Sequence, residues 1–290
     1  MLALQLLVNA VALGAAYALV ALGFVLVLNA TGAVNFAQGD MVMAGGYAAV
    51  VLAGSLPVPG LVLLPLVLLL TAAFGVVFSL IAYFPLRARP PAAVFISTIA
   101  TGIILQNGAN LLFGAEPRAA PALLGGGILR LGAFVLPRQS LAIIAVAAVL
   151  GLAQHWLLRR TQFGRALRAT AQDREMARAV GVRVDRMIAA SFALATTLAG
   201  AAGFLLANQF FVTPTSGSDL ILKAYIAVTI GGWGSLAGAV LGAMLIALFE
   251  VGVSAVLSYE AAMAALYAVL LALLWLRPQG LIGEAARARA

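Results

Sequence analysis

The chain alternates long apolar runs with short polar interruptions, and the lengths of those runs set the fold class. A helix that crosses a bilayer needs about 20 apolar residues, and the first candidate extends from Leu2 to Leu28 without a charge. The stretch NATGAVNFAQGDMVMAGGY, Asn29 to Tyr47, interrupts the run before a second span continues to about Ser55. A polar, glycine-rich break between apolar helices predicts backbone that lines a cavity and does not face lipid. Further spans are predicted over Leu61 to Phe84, Ala92 to Phe113, Ser140 to Leu158, Met187 to Ala207, Leu236 to Phe249 and Ala261 to Leu276. The apolar piece ending at Ile230 is too short to cross alone, and GGWGS, residues 231–235, predicts a second break. The pattern is that of an all-α polytopic membrane protein, one transmembrane domain over residues 1–290. It has about eight spanning helices, or nine if the piece before Gly231 also crosses, with broken or re-entrant segments. Two breaks in opposite halves of the chain point to a site near the membrane midplane.

Local signals refine this pattern. On the fourth span, Thr98 with Thr101 and Gln106 with Asn110 share helix faces and are expected to look into the bundle. The small residues Ala199, Gly200 and Gly203, and the pair Gly238 and Gly242, permit close helix contact. Asp40 reads most simply as a cap for the second span, and Asp185 as a cap for the sixth. Thr170 with Asp173 resembles a capping box, predicting a helix over Ala171 to Val180 that Gly181 ends.

Composition agrees with the pattern: 64% of residues are hydrophobic and 9% charged, and the mean hydropathy is +1.12. Soluble domains carry about 25% charged residues. The formal charge of +8 is concentrated in RRTQFGRALRATAQDREMARAVGVRVDR, Arg159 to Arg186, where eight arginines face three carboxylates. Arginine at the centre of a span costs about 2.5–3.5 kcal/mol, so this segment is a loop, and the positive-inside rule puts it in the cytoplasm. Arg87 and Arg89, and Arg277, Arg287 and Arg289 at the C-terminus, vote for the same side. Alternation then puts the uncharged N-terminus and the glycine- and proline-rich loop 114–139 outside. A nucleic-acid partner is excluded by the confinement of arginine to loops between apolar runs; membrane lipid is the medium.

The chemistry within the spans is sparse. Asp40, Lys223, Glu250 and Glu260 lie at or near span ends, and no two are close enough in sequence to predict a dyad. There is no cysteine and no GxxxxGK[ST] phosphate loop, and His155 beside Trp156 reads as an interfacial residue. No catalytic centre, metal site or cofactor is expected. An ion-coupled carrier would show an acidic group deep in a helix, and Asp40 is the sole candidate. The basic segment holds two short helices in which arginine alternates with Ala166, Leu167, Met176, Ala177 and Val180, a pattern suited to docking another protein.

Three motifs in order, TGAVNFAQGDMVMAGGY, GRALRATAQDREMARAVGV leading into RMIAASFALATTLAGAAGFL, and GGWGSLAGAVLGAMLIALFE, resemble the LivH-like permease subunits of bacterial ABC importers for branched-chain amino acids. The resemblance extends over residues 10–280 and is weakest at Gly114 to Gln139. It implies a bacterial inner-membrane importer of this permease, a second related permease, two cytoplasmic ATPases that bind the ATP, and a periplasmic solute-binding protein. On the matching motifs, Asn35, Phe36, Gln38, Gly39 and Asp40 would lie beside the translocation path. The segment containing Gly164, Arg165, Leu167, Arg168, Ala171, Asp173, Met176, Ala177 and Gly181 would couple to an ATPase. The implied solute is a branched-chain or other small amino acid, with urea, a short amide or another small polar solute as the alternative.

Overall fold

The computed structural model describes residues 2–125, 127–131, 134–277 and 279–282. Seven of its helices are long and apolar enough to cross a membrane. They are α1 (Leu2–Thr31), α3 (Gly60–Phe78, continuing to Leu86), α4 (Pro91–Phe113), α5 (Arg138–Arg160), α8 (Val184–Ala207), α10 (Leu236–Ser254) and α11 (Tyr259–Leu276). The eighth expected span is α2 (Gln38–Ser55), which opens on the polar residues Gln38 and Asp40. The second break is preceded by α9 (Ser216–Gly231), whose 16 residues give about 24 Å of helix, short of the roughly 30 Å hydrocarbon thickness. This helix begins ahead of the apolar piece that ends at Ile230, because Ser216, Ser218 and Asp219 are good first-turn residues.

Helices α1 and α8 form the enclosed centre, while α4, α5 and α11 expose most of their surface, as helices at the rim of a bundle do. Small residues set the tightest contacts. Gly45 of α2 lies against the Gly200 backbone, and Gly203 of α8 against the Val42 carbonyl, so a methyl group at either would strike main chain. Between α9 and α10, Gly238 lies on Gly231 and Gly242 on the Ala227 carbonyl. These are the close contacts that the glycine spacing predicts. The end of the third span nearest the arginine-rich segment leaves α-helical register through a π-helical turn at Ser79–Tyr83, just before Pro85, which cannot donate a backbone hydrogen bond.

The two ends of the bundle are separate in composition. At one end Ser140 Oγ donates to Asn9 Oδ1 (3.3 Å), and Arg118 and Val212 exchange backbone bonds of 3.0 and 2.7 Å. This end holds the start of α1 and loop 114–139. Part of that loop folds as a hairpin, β1 (Ile128–Leu131) against β2 (Phe134–Pro137), which glycine and proline content alone does not predict. The other end holds the arginine-rich segment, which contains α6 (Gln162–Gln172) and α7 (Arg174–Ala179). Arg87 donates to Asp185 there at 2.6 Å, so both basic links share one end. The chain after α11 returns to the same end, where Leu281 and Ile282 donate to the Ile230 and Gly231 carbonyls. Arg287 and Arg289 lie outside the described residues.

Candidate functional site

The first break is built by side chains that replace lost helix bonds. The Thr31 hydroxyl donates to the Val27 carbonyl at 2.7 Å, Gly32 turns the chain at φ +66, and Asn35 Oδ1 accepts from Ala37 N at 3.1 Å. Asn35, not Asp40, therefore supplies the side chain that supports the start of α2. Gln38 is fully buried and donates to the Ala195 carbonyl, halfway along α8, at 3.1 Å. A Cβ on Gly39 would meet the Gly217 carbonyl of α9. Phe36 sits edge-on to Phe95 (5.1 Å) and near Tyr225 (6.2 Å). Asp40 is buried at the third residue of the helix instead of capping it, and it accepts from Gln106 Nε2 of α4 at 2.8 Å. Gln106 Nε2 also lies 3.4 Å from Ser218 Oγ of α9. Three helices thus place an acid, an amide and a hydroxyl together among apolar residues, where charged and polar groups mark function more often than stability.

The second break meets the first. Asn29 Nδ2 donates to the Gly234 carbonyl at 3.0 Å, and Gly232 and Gly234 take φ +113 and +79, the left-handed region that glycine enters without penalty. Trp233 packs edge-on to Phe24 and Tyr225. The bonded residues of the two breaks are 205 positions apart in sequence; the fold makes them neighbours.

Helix α4 departs from its expected orientation in part. Thr98 is buried and its hydroxyl accepts from Phe36 N at 3.1 Å, but Asn107 and Asn110 are exposed. Gln106 and Asn110 share a helix face only loosely, and the face turns from the bundle to the outer surface along its length.

The basic segment is anchored beneath and open above. Thr161 caps α6, accepting from Gly164 N at 3.0 Å, and Gly164 lies against the Leu157 and Leu158 carbonyls with no room for a Cβ. Leu167 packs with Leu26 and Leu158. Asp173 caps α7, accepting from Glu175 N (2.9 Å) and Met176 N (3.0 Å). The expected capping box is absent, because Thr170 instead bonds back to the Ala166 carbonyl at 3.0 Å; the segment holds two short helices as expected, but the second starts at Arg174 and not at Ala171. Gly181 ends α7 at φ +85, as predicted. Asp185 does not cap α8; it pairs with Arg87 at 2.6 Å and Arg178 at 3.5 Å.

The segment's residues divide by burial. Ala177 is 3% exposed and faces the bundle, and Arg174 Nη1 donates to the Tyr83 hydroxyl at 3.2 Å. Met176 is 66% exposed and Val180 78%, and Arg165, Arg168, Asp173 and Gly181 are exposed beside them, with Ala171 half-buried. Gly164, Leu167 and Ala177, with the Arg174 bond to Tyr83, thus hold the segment in place, while Arg165, Arg168, Asp173, Met176, Val180 and Gly181 form its free surface.

One constellation has no sequence signal. Lys223 Nζ donates to Glu250 Oε1 at 2.7 Å and to the Tyr17 hydroxyl at 2.8 Å, and both charged side chains are under a tenth exposed. The sequence gives no reason to pair them, since residues 27 apart meet only because α9 and α10 fold back on each other. Among the described residues no three histidine or carboxylate groups cluster as a metal site would need.

These features agree with the comparisons to known proteins. Residues 6–274 match the family described as branched-chain amino acid transport system permease component. The chain is 33% identical over 297 residues to the high-affinity branched-chain amino acid transport permease LivH of Escherichia coli K12, covering 97% of this chain and 96% of that one. It is 32% identical over 294 residues to the corresponding permease BraD of Pseudomonas aeruginosa, with the same coverage. A probable LivH of Methanocaldococcus jannaschii is 28% identical over 80% of this chain and 75% of its own length. No solved structure matches. Several apolar spans, two glycine-rich breaks that meet, a basic segment at one end, and full-length relatives that are permease subunits lead to one conclusion: the chain belongs to the permease components of branched-chain amino acid transport systems.

Proposed function

We propose that this chain is one of two permeases in an ATP-driven importer for branched-chain or other small amino acids. It works with two cytoplasmic ATPases and a periplasmic solute-binding protein, in a bacterial inner membrane with α6, α7 and the C-terminus on the cytoplasmic side. The observation that carries this reading is the basic segment: fixed to the bundle by Gly164, Leu167 and Ala177, it leaves Met176 and Val180 exposed. Two free apolar side chains amid arginines suit the cleft of a partner protein, and such a rigidly mounted knob passes motion between ATPase and spans.

The outward polar face of α4 supports the second permease. Asn107 and Asn110 would be costly against lipid, and across a wet path from a second permease they, with Gln106 and Asp40, give a solute polar groups to exchange for water. Asn35, Phe36, Gln38 and Gly39 hold α2 in place beside this path. ATP binding and hydrolysis supply the difference in free energy between outward-open and inward-open states, and weak solute affinity in the permease lets the solute leave.

Co-reconstitution in proteoliposomes tests the reading. Leucine uptake should require this chain, a second permease, both ATPases, the binding protein and ATP. Uptake by this chain alone, driven by a proton or sodium gradient, would overturn it, and uptake of urea or a short amide in place of leucine would reassign the solute.

A further inference from the structure

A cavity of about 500 Å³ lies between the outer half of α1, the start of α9 and the far end of α10, and it is bordered by Lys223, Glu250, Asp219, Tyr17 and Tyr259. Its volume falls within the roughly 300–1,000 Å³ of small-molecule sites. Lys223 Nζ reaches Glu250 Oε1 (2.7 Å), the Tyr17 hydroxyl (2.8 Å) and the Tyr259 hydroxyl (3.3 Å), and the Tyr17 hydroxyl donates to Glu250 Oε2 at 3.0 Å. Asp219, one helical turn before Lys223, is exposed and among the described residues makes no hydrogen bond or ion pair. The apolar side of the cavity includes Leu13, Val42, Met43 and Leu206.

A buried ion pair is a poor way to hold two helices together. Apolar residues of the same size usually do as well, because both charges must be stripped of water. Charges kept inside a membrane protein therefore point to a polar occupant or path. The cavity offers one cation, two carboxylates, hydroxyls and an aliphatic wall, in the space that a free amino acid would fill.

We propose that this cavity is a recognition subsite for the zwitterionic head of an aliphatic amino acid. The carboxylate of the solute takes Lys223, its ammonium takes Asp219 and Glu250, and its side chain lies along Leu13, Val42 and Leu206. The subsite rests on the amino-acid importer reading above and adds to it a place where the permease itself distinguishes amino acids from neutral solutes.

The test uses the assembled transporter in nanodiscs, without its solute-binding protein, and equilibrium binding of radiolabelled L-leucine. Wild type should show weak, saturable binding. Asp219→Asn should weaken it about tenfold or more, the loss expected when one charge-assisted hydrogen bond goes. The double variant Lys223→Gln with Glu250→Gln, which keeps hydrogen-bonding groups in place, should weaken it at least as much. Isoamylamine, lacking the carboxylate, and isocaproate, lacking the ammonium, should compete about tenfold less well than leucine. Because Asp219 is exposed, its variant reads out binding without threatening the fold. Unchanged leucine binding in both variants, competition by either analogue as strong as that of leucine itself, or no saturable binding by a transporter that does import leucine would overturn the subsite. A transporter that imports no amino acid at all would overturn the underlying reading first.

Discussion

The first break and the basic segment are both polar interruptions of an apolar chain, yet they are built in opposite ways. In the break, each conspicuous polar group has a partner within the protein: Asn35 supports α2, Gln38 bonds the Ala195 carbonyl, and Asp40 accepts from Gln106. In the basic segment the fixed groups lie underneath, and Met176, Val180 and most of the arginines reach outward. The difference follows from the medium. Inside a membrane an unpaired polar group costs several kcal/mol, so geometry there is locked by internal bonds, whereas a water-exposed segment can keep free side chains for a partner.

That contrast can be broken most severely at Gly39. Gly39→Val places side-chain atoms on the Gly217 carbonyl, and main chain cannot step aside as a flexible side chain would. Overpacking typically costs about 1–3 kcal/mol and more against rigid backbone, so the variant should give little monodisperse protein in detergent. A normal yield and thermal midpoint would show that the α2–α9 contact is looser than described.

Next in size is Gln106→Leu, which leaves the Asp40 carboxylate without its amide donor. Leaving a buried charged group unsatisfied costs about 1–3 kcal/mol or more, measurable as a lower thermal midpoint, and uptake should fall with it. Restoration by Asp40→Asn in the same chain would show that the charge, not the packing, is at fault.

Smallest is Gly181→Ala, at φ +85 with open space around it. A left-handed alanine costs about 1–2 kcal/mol, confined to the end of α7. Coupling should weaken slightly while membrane insertion and the midpoint of the bundle stay unchanged, in contrast to Gly39→Val.

The sequence showed the apolar runs because span length is fixed by bilayer thickness, and it showed the small-residue contacts because only glycine and alanine let backbones touch. It also located both breaks and the basic segment. Partners across the fold were beyond it. Asp40 looks like a helix cap until Gln106 of α4 is brought beside it, and Lys223 and Glu250 look like isolated charges until α9 and α10 fold back. Helical periodicity gives relative direction within one element, so the exposed Asn110 was placed with Gln106 when the surface of α4 had already turned outward. In the same way Ala177 and Met176 look equally suited to docking, and only packing shows that one is an anchor and the other is free.

The most direct measurement is made on the exposed face of α7. The double variant Met176→Asp with Val180→Asp alters two side chains that are 66% and 78% exposed, where substitutions usually change stability by about 0.5 kcal/mol or less. In the reconstituted importer it should keep the wild-type thermal midpoint and membrane insertion, lose at least about tenfold in leucine uptake, and no longer raise ATP hydrolysis in response to loaded binding protein. Uptake and stimulated ATP hydrolysis at wild-type levels would contradict a coupling role for this segment.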